Sequence, residues 1–148
     1  MSTTRFETGT MGTYAGLRFS GDRLAPESLT RILGTEPRTA YRKGDVFKIV
    51  RGHEVRGRTG LWLLSSEGRV DSLDLNDHLD YLLGLVFPDG RTDKLPKLQK
   101  LMRNFQIEAD VPCFWHGEHG AEPPVVRDDI RSQFARIPAA IEEDFDTD

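Results

Sequence analysis

The stretch 106-QIEADVPCFW-115 decides the fold class, because its apolar residues recur at every second position. The odd-numbered residues from Ile107 to Trp115 are all apolar, whereas Glu108 and Asp110 between them are acidic. Successive side chains of an extended chain point to opposite faces, so a period of two is typical of a strand with one buried face. The stretch therefore predicts a half-buried β-strand.

Three stretches upstream predict further strands. Residues 13–20 alternate in the same way, with Leu17 on the apolar side. The run Leu61-Trp62-Leu63-Leu64 is apolar on both faces, which predicts a central strand with Trp62 in the core. Residues 45–50 are rich in β-branched and aromatic side chains, and we expect them to form a hairpin with residues 60–65 through a long basic connection.

Apolar residues at helical spacing predict four helices, and a later alternation predicts a last strand. The first helix begins at Pro26 and ends at Gly34, and residues 72–86 and 94–105 form a helix pair that Pro88-Asp89-Gly90 divides. Residues 127–135 form the fourth helix. Residues 139–145 then alternate weakly and predict an edge strand with an acidic outer face.

This order of elements predicts an α+β fold in which helices cover one face of a mainly antiparallel sheet. The first part has the βαββαβ order of ferredoxin-like folds, and the C-terminal helix and strand extend it. We expect a flexible N-terminal segment at residues 1–12 and one domain over residues 13–148.

The composition fits a soluble protein, since 37% of the 148 residues are hydrophobic and 30% are charged. No apolar run approaches the roughly 20 residues that cross a bilayer, and the N-terminus lacks the pattern of a secretory signal. Cys113 is the single cysteine, which excludes an internal disulfide and agrees with a reducing compartment. The sequence therefore predicts a cytoplasmic protein that is not bound to a membrane.

Residue types that carry catalysis or bind metals are present, but their patterns do not favour either. Cys113, His116 and His119 have a spacing that invites a zinc site, yet Cys113 and His116 are expected on opposite faces of one strand, and a fourth ligand is missing. Ser65 and Ser66 lie in no Gly-x-Ser-x-Gly context.

Three carboxylates, Asp74, Asp77 and Asp80, recur at a spacing of three on one side of a predicted helix, where solvation is the ordinary outcome. Glycine-rich phosphate loops are missing from the sequence. The sequence thus predicts no catalytic residue, no metal site and no cofactor.

Charge is distributed unevenly, although the net charge is only −4. Residues 38–58, the basic segment, contain seven basic and two acidic residues, whereas residues 118–148 are strongly acidic. An aromatic ring among cations can stack on a base while the cations hold phosphates. Alternatively, Arg42 and Lys43 pair with the acidic C-terminal stretch. The predicted binding residues are Arg38, Tyr41, Arg42, Lys43, Arg51, Arg56 and Arg58.

Several short motifs occur in an order that resembles a known bacterial family. They are Tyr14-Ala-Gly-Leu-Arg-Phe-Ser-Gly-Asp, Pro26-Glu27, Leu29-Thr30, Leu33-Gly34, Glu36-Pro37, Lys43-Gly44-Asp45, Gly60-Leu61-Trp62-Leu63-Leu64-Ser65 and Asp77-His78-Leu79. Over residues 13–146 the chain is similar to the family catalogued as domain of unknown function 4279. The resemblance implies a compact bacterial α+β domain, and it implies no reaction because the family has no assigned activity.

Together these features predict a non-enzymatic interaction module that docks a macromolecular partner, a protein with an acidic surface, through the basic hairpin. The acidic overall charge argues against a nucleic-acid partner. The alternative is a small-ligand-binding domain or a small enzyme, with a pocket between the basic loop and the helix pair.

Overall fold

The computed structural model describes residues 9–48 and 54–148, and for residues 47, 48 and 54–56 it describes the backbone alone. This part of the chain contains seven β-strands and four α-helices, and a 3-10 turn at Pro88–Gly90 separates the second helix from the third. The elements in chain order are β1 (Thr10–Gly21), α1 (Pro26–Leu33), β2 (Thr39–Tyr41), β3 (Val46–Lys48), β4 (Glu54–Arg56), β5 (Gly60–Ser65), α2 (Leu75–Val86), α3 (Lys94–Phe105), β6 (Glu108–Gly117), α4 (Asp128–Arg136) and β7 (Ala139–Thr147).

Five strands form one sheet in the order β2-β5-β1-β6-β7. The long strand β1 is central and runs antiparallel to β5 and β6, and β2 runs antiparallel to β5. The last strand, β7, joins β6 in parallel at the edge of the sheet, where an edge strand is predicted. The sheet is thus mainly antiparallel, and the ferredoxin-like connection of its strands stays a prediction.

The helices cover one face of this sheet, as the alternation in β1 and β6 predicts. Inward side chains of four strands and apolar side chains of all four helices form a single buried cluster. Within residues 9–48 and 54–148, no helix has the length and apolar character to cross a bilayer. The strand residues of the cluster are Ala15, Leu17, Phe19, Trp62, Leu64, Val111, Cys113 and Ala139, and the helix residues include Leu29, Leu33, Leu79, Leu82, Leu98, Ile130 and Phe134.

The start of the basic segment is fixed by α1, which carries proline at its N-terminus and ends on Gly34 in the left-handed conformation, with φ of 74°. The Gly34 N–H donates to the Thr30 carbonyl at 2.8 Å, which closes the helix. Four residues later, the Arg38 N–H donates to the Leu63 carbonyl at 2.7 Å and starts β2 beside β5. The position at which α1 ends therefore determines where β2 begins and where Arg38 lies at the edge of the sheet.

The predicted hairpin between residues 45–50 and 60–65 is wrong. Val46–Lys48 pairs with Glu54–Arg56 in a separate two-stranded sheet, and β5 pairs with β1 and β2 instead. The sequence hides β2 because three residues are too few to show an alternation. β1 begins at Thr10, three residues earlier than predicted. Of the predicted flexible segment 1–12, residues 1–8 lie outside the described residues.

Candidate functional site

The basic segment places its predicted binding residues at the surface beside β2. Arg38, Arg42, Lys43 and Arg58 are exposed, and Tyr41 is half-buried. Arg51 and the side chain of Arg56 lie outside the described residues. The structure therefore describes four of the six predicted cations, all accessible to a partner.

Three of these cations pair with acids from neighbouring parts of the chain. The alternative prediction, that Arg42 and Lys43 pair with the acidic C-terminal stretch, is wrong. Carboxylates of α1 and of the turn before it lie next to these two side chains instead. Exposed pairs of this kind contribute about 1 kcal/mol or less, so a partner can replace them. The pairs are Arg38 with Glu67 at 2.7 Å, Arg42 with Glu27, and Lys43 with Asp22 at 3.0 Å.

A tight turn presents Arg42 and Lys43. The Asp45 carboxylate accepts the Arg42 N–H at 2.8 Å, and Gly44 adopts a φ of 87° between them. The Tyr41 ring covers Gly57 so closely that a Cβ there would lie 2.7 Å from the ring. Tyr41 therefore packs against the segment's own backbone and holds the turn in place.

The acidic C-terminal stretch has its own partners. Glu143 pairs with Arg131 at 2.7 Å, and the Asp148 carboxylate contacts Nε2 of His116 at 2.8 Å. Nδ1 of His119 lies 3.0 Å from the Asp148 carbonyl oxygen. Both histidines of the zinc-like spacing thus contact Asp148.

Cys113, the third residue of that spacing, points into the core and is only 1% exposed. Its thiol donates weakly to the Val111 carbonyl at 3.5 Å. Burial, and to a lesser degree the charge of Glu143, raise the pKa of the Cys113 thiol to about 12. The thiol is therefore inert as a nucleophile near neutral pH.

The raised pKa of Cys113 predicts a loss of stability in alkali. The unfolded thiol releases its proton above pH 9.0, whereas the folded thiol keeps it until about pH 12. The unfolded state thus binds fewer protons in this window, so the free energy of unfolding must fall as the pH rises. Between pH 8 and 10.5 this thiol contributes a loss of about 2 kcal/mol. Urea unfolding at both pH values measures it.

The control is Cys113→Ala, which lowers stability at every pH but removes this part of the pH dependence. The difference between pH 8 and 10.5 should therefore be smaller in the variant than in the parent. Equal differences in the two proteins would show that the thiol ionises as easily in the fold as outside it.

Ser66 and His78 form a buried pair that the sequence does not reveal. Ser66 Oγ lies 2.7 Å from Nδ1 of His78, and Nε2 of the same ring lies 2.8 Å from the Ser72 carbonyl oxygen. Because a carbonyl only accepts, Nε2 carries the proton and the Ser66 hydroxyl donates to Nδ1. The Ala15 N–H donates to Ser66 Oγ at 2.9 Å and completes the network.

A serine that donates to an oriented histidine is the arrangement of nucleophilic catalysis. Here, however, Ser66 has no exposed surface and His78 is 2% exposed, so no substrate reaches the hydroxyl. The pair instead ties the end of β5 to β1 and to α2. Its two members lie 12 residues apart, Ser66 directly after one motif of the family resemblance and His78 within another, but nothing in the sequence indicates that they touch.

The three carboxylates of α2 also have structural roles. Asp74 caps the helix by accepting the Asn76 N–H at 2.9 Å, so the cap lies two residues after Ser72. Asp77 accepts the Ser72 hydroxyl at 2.6 Å, and Asp80 pairs with Arg127 at 2.8 Å. All three carboxylates are exposed.

The face of the sheet opposite the helices carries an apolar patch, the open face, made of Tyr14, Leu63, Pro112 and Phe114. Tyr14 and Phe114 lie directly opposite each other on β1 and β6, and their rings stack with centroids 4.9 Å apart. Between Leu63 and Pro112 lies Gly16, where even a Cβ would contact both at 3.2 and 3.4 Å. These residues line a concavity of about 370 Å³.

A charged cluster borders the open face. Arg18 makes two hydrogen bonds to Asp110, at 2.8 and 2.6 Å, and one to Glu142 at 3.2 Å. Burial opposes ionisation of Asp110, but the hydrogen bonds and charge of Arg18 outweigh it and lower the pKa. The pKa of Glu142 is raised, because it shares a hydrogen bond with Asp110 and meets its charge. One guanidinium thus serves two carboxyl groups.

A family model described as a domain of unknown function (DUF4279) matches residues 11–147. The chain belongs to this family. No curated protein and no solved structure shows a significant match to this DUF4279 chain.

Several residues that resemble DUF4279 motifs stabilise the fold. A Cβ on Gly60 would lie 2.7 Å from the Gly21 carbonyl oxygen, so glycine permits β5 to start beside the end of β1. Trp62 is fully buried, and its indole N–H donates to Thr30 Oγ1 at 3.0 Å. His78 holds Ser66. These residues of the DUF4279 motifs therefore contribute to the architecture of the domain.

Proposed function

We propose that this domain is a non-enzymatic interaction module that binds a protein with an acidic surface. The observation that carries the proposal is the continuity of the open face with the basic segment. Arg38 and Thr39 line the same concavity as Tyr14, Leu63 and Phe114. An apolar patch with arginine side chains at its rim is thereby presented beside the basic segment.

The apolar character of the open face supports a docking role. An antiparallel sheet with one solvated face ordinarily carries polar residues there. Clustered apolar residues with a polar rim mark interaction sites, and aromatic and arginine side chains are enriched in interfaces. Tyr14 and Phe114 are already stacked, so binding orders them at little entropic cost. A cross-strand pair also stabilises the sheet, but it does not account for Leu63 and Pro112.

The charges of the rim favour an acidic protein over a nucleic acid. Among the described residues, exposed ion pairs hold the side chains of Arg38 and Arg42, and an acidic partner can replace these pairs. Glu67 and Asp144 line the same concavity, so charges of both signs meet a partner there. A protein with an acidic surface can match both signs, whereas a continuous phosphate backbone cannot. We place the interaction in the bacterial cytoplasm, with which the single thiol of Cys113 agrees.

Charge reversal tests the rim. We expect Arg38→Glu with Arg42→Glu to reduce capture of the partner from host lysate by roughly tenfold, because two attractive contacts become repulsive. The melting temperature should change little, since exposed pairs contribute little to stability. Lys97→Glu with Lys100→Glu is the matched control, because it reverses two exposed cations on α3 and should leave capture unchanged.

Polar substitution tests the patch in the same assay. Leu63→Thr with Phe114→Thr should abolish capture, whereas Val125→Thr, at a residue 81% exposed in a loop, should not. Undiminished capture by either surface variant contradicts the proposal. So does a captured species that nuclease destroys, because the partner is then a nucleic acid.

A further inference from the structure

A second concavity, the groove, lies at the end of the sheet where β6 and β7 begin, between α3 and the C-terminal end of α4. Its volume is about 950 Å³, within the range of small-molecule sites. The floor is apolar and includes Met102, Ile107 and Ile137, each no more than 6% exposed. No described residue of the basic segment lines it, so it is not the pocket that the sequence predicts between the basic loop and the helix pair.

The groove walls carry more negative than positive charge. Glu108 and Asp110 on β6 and Glu142 on β7 line it, against Arg103 on α3. Arg18 on β1 neutralises one further charge by pairing with Asp110 and Glu142. The groove residues and Arg18 together carry three carboxyl groups and two guanidinium groups. One negative charge is therefore in excess.

The helix ends add to this preference. Both α3 and α4 end at the groove, and the C-terminal end of a helix carries a partial negative charge. Gln99 Nε2 donates to the Arg136 carbonyl at 2.5 Å and so satisfies one of the exposed carbonyls at the end of α4. Two helix ends and an excess carboxyl group therefore favour a positively charged ligand.

We propose that the groove binds a small amphipathic monocation, with its apolar body on Met102, Ile107 and Ile137 and its ammonium group against Glu142 and Asp110. An apolar body gains by leaving water for this floor. The ammonium group gains charge-assisted hydrogen bonds and separates two carboxyl groups that share one guanidinium. The groove and the concavity of the open face share no lining residue, although Arg18 lines the second and pairs with two carboxyl groups of the first.

Three probes of one shape test the charge preference: 4-phenylbutylamine, 4-phenylbutanol and 4-phenylbutyrate. In a methyl NMR titration of the full chain, the amine should shift the signals of Met102, Ala109 and Ile137. It should bind roughly fivefold tighter than the alcohol, as one partly exposed ion pair allows, and the carboxylate should bind most weakly.

Glu142→Gln should reduce the affinity for the amine to that for the alcohol. The matched control is Asp144→Asn, on the same strand and face but lining the other concavity, and it should leave the affinity unchanged. Equal binding of amine and alcohol, an amine affinity that Glu142→Gln leaves intact, or shifts confined to methyl groups outside the groove would each overturn the proposal. None of these outcomes bears on the docking surface.

Discussion

Replacing Trp62 by alanine is expected to lower the free energy of unfolding by about 3 to 5 kcal/mol, because it empties a large site in a closed core. Trp62 is fully buried on β5 and meets Phe19 of β1 edge to face, with ring centroids 5.9 Å apart. Its indole N–H also links the sheet to α1 through Thr30. Urea unfolding followed by circular dichroism measures the loss.

Thr30→Val separates packing from hydrogen bonding at this site. It keeps the shape of the side chain but leaves the indole N–H without its acceptor, which costs about 1 to 3 kcal/mol. Trp62→Ala should therefore be clearly more destabilising than Thr30→Val. Equal losses in the two variants would mean that Trp62 contributes no more than its hydrogen bond.

Ser66→Ala should cost about 2 to 4 kcal/mol, because it leaves two buried polar groups without partners. These are the Ala15 N–H and Nδ1 of His78, which have no access to bulk water in this region. The free energy of unfolding from urea titration is again the measure.

Ser65→Ala is the matched control, one residue away on β5. Ser65 Oγ accepts a single N–H, that of Glu67 at 3.1 Å, from the described residues, so its removal should cost about 1 kcal/mol. If Ser66→Ala were as stable as Ser65→Ala, the Ser66–His78 network would not contribute to the fold.

The sequence predicts those parts of the fold in which burial imposes a period. The alternation from Ile107 to Trp115 identifies β6, and its buried residues are odd-numbered as predicted. The apolar run around Trp62 identifies a strand with two neighbours, since β5 lies between β2 and β1. Burial of one face of a strand imposes a periodic order of apolar and polar residues, which the sequence shows directly.

Contacts between residues far apart in the chain impose no such periodic order, so the sequence does not show them. The outer neighbour of β5 is β2, a strand of three residues. Arg42 contacts Glu27, 15 residues earlier, because α1 folds back beside the turn. A surplus of cations in one segment and of anions in another does not tell which of them meet. The predicted hairpin failed because β2 takes the place beside β5. The C-terminal pairing failed because β2 and β7 lie at opposite edges of the sheet, and Glu27 and Asp22 are closer to Arg42 and Lys43.

The sequence of β6 does contain an indication of the open face. On β6 the even-numbered residues change from the acidic Glu108 and Asp110 to the apolar Pro112 and Phe114. The outward side of the strand thus becomes apolar half-way along. That such a patch adjoins Arg38 depends on the strand order β2-β5-β1-β6, which the sequence alone does not give.

Site-specific photo-cross-linking tests the docking surface most directly. The photoreactive p-benzoylphenylalanine is placed at position 114 on the open face or, as a matched control, at position 105, where an exposed phenylalanine lies at the end of α3. After irradiation in host lysate, we expect position 114 to form a cross-link to one protein with an acidic surface, and position 105 to form none with that protein. A partner that cross-links from position 105 and not from position 114 would contradict docking through the open face.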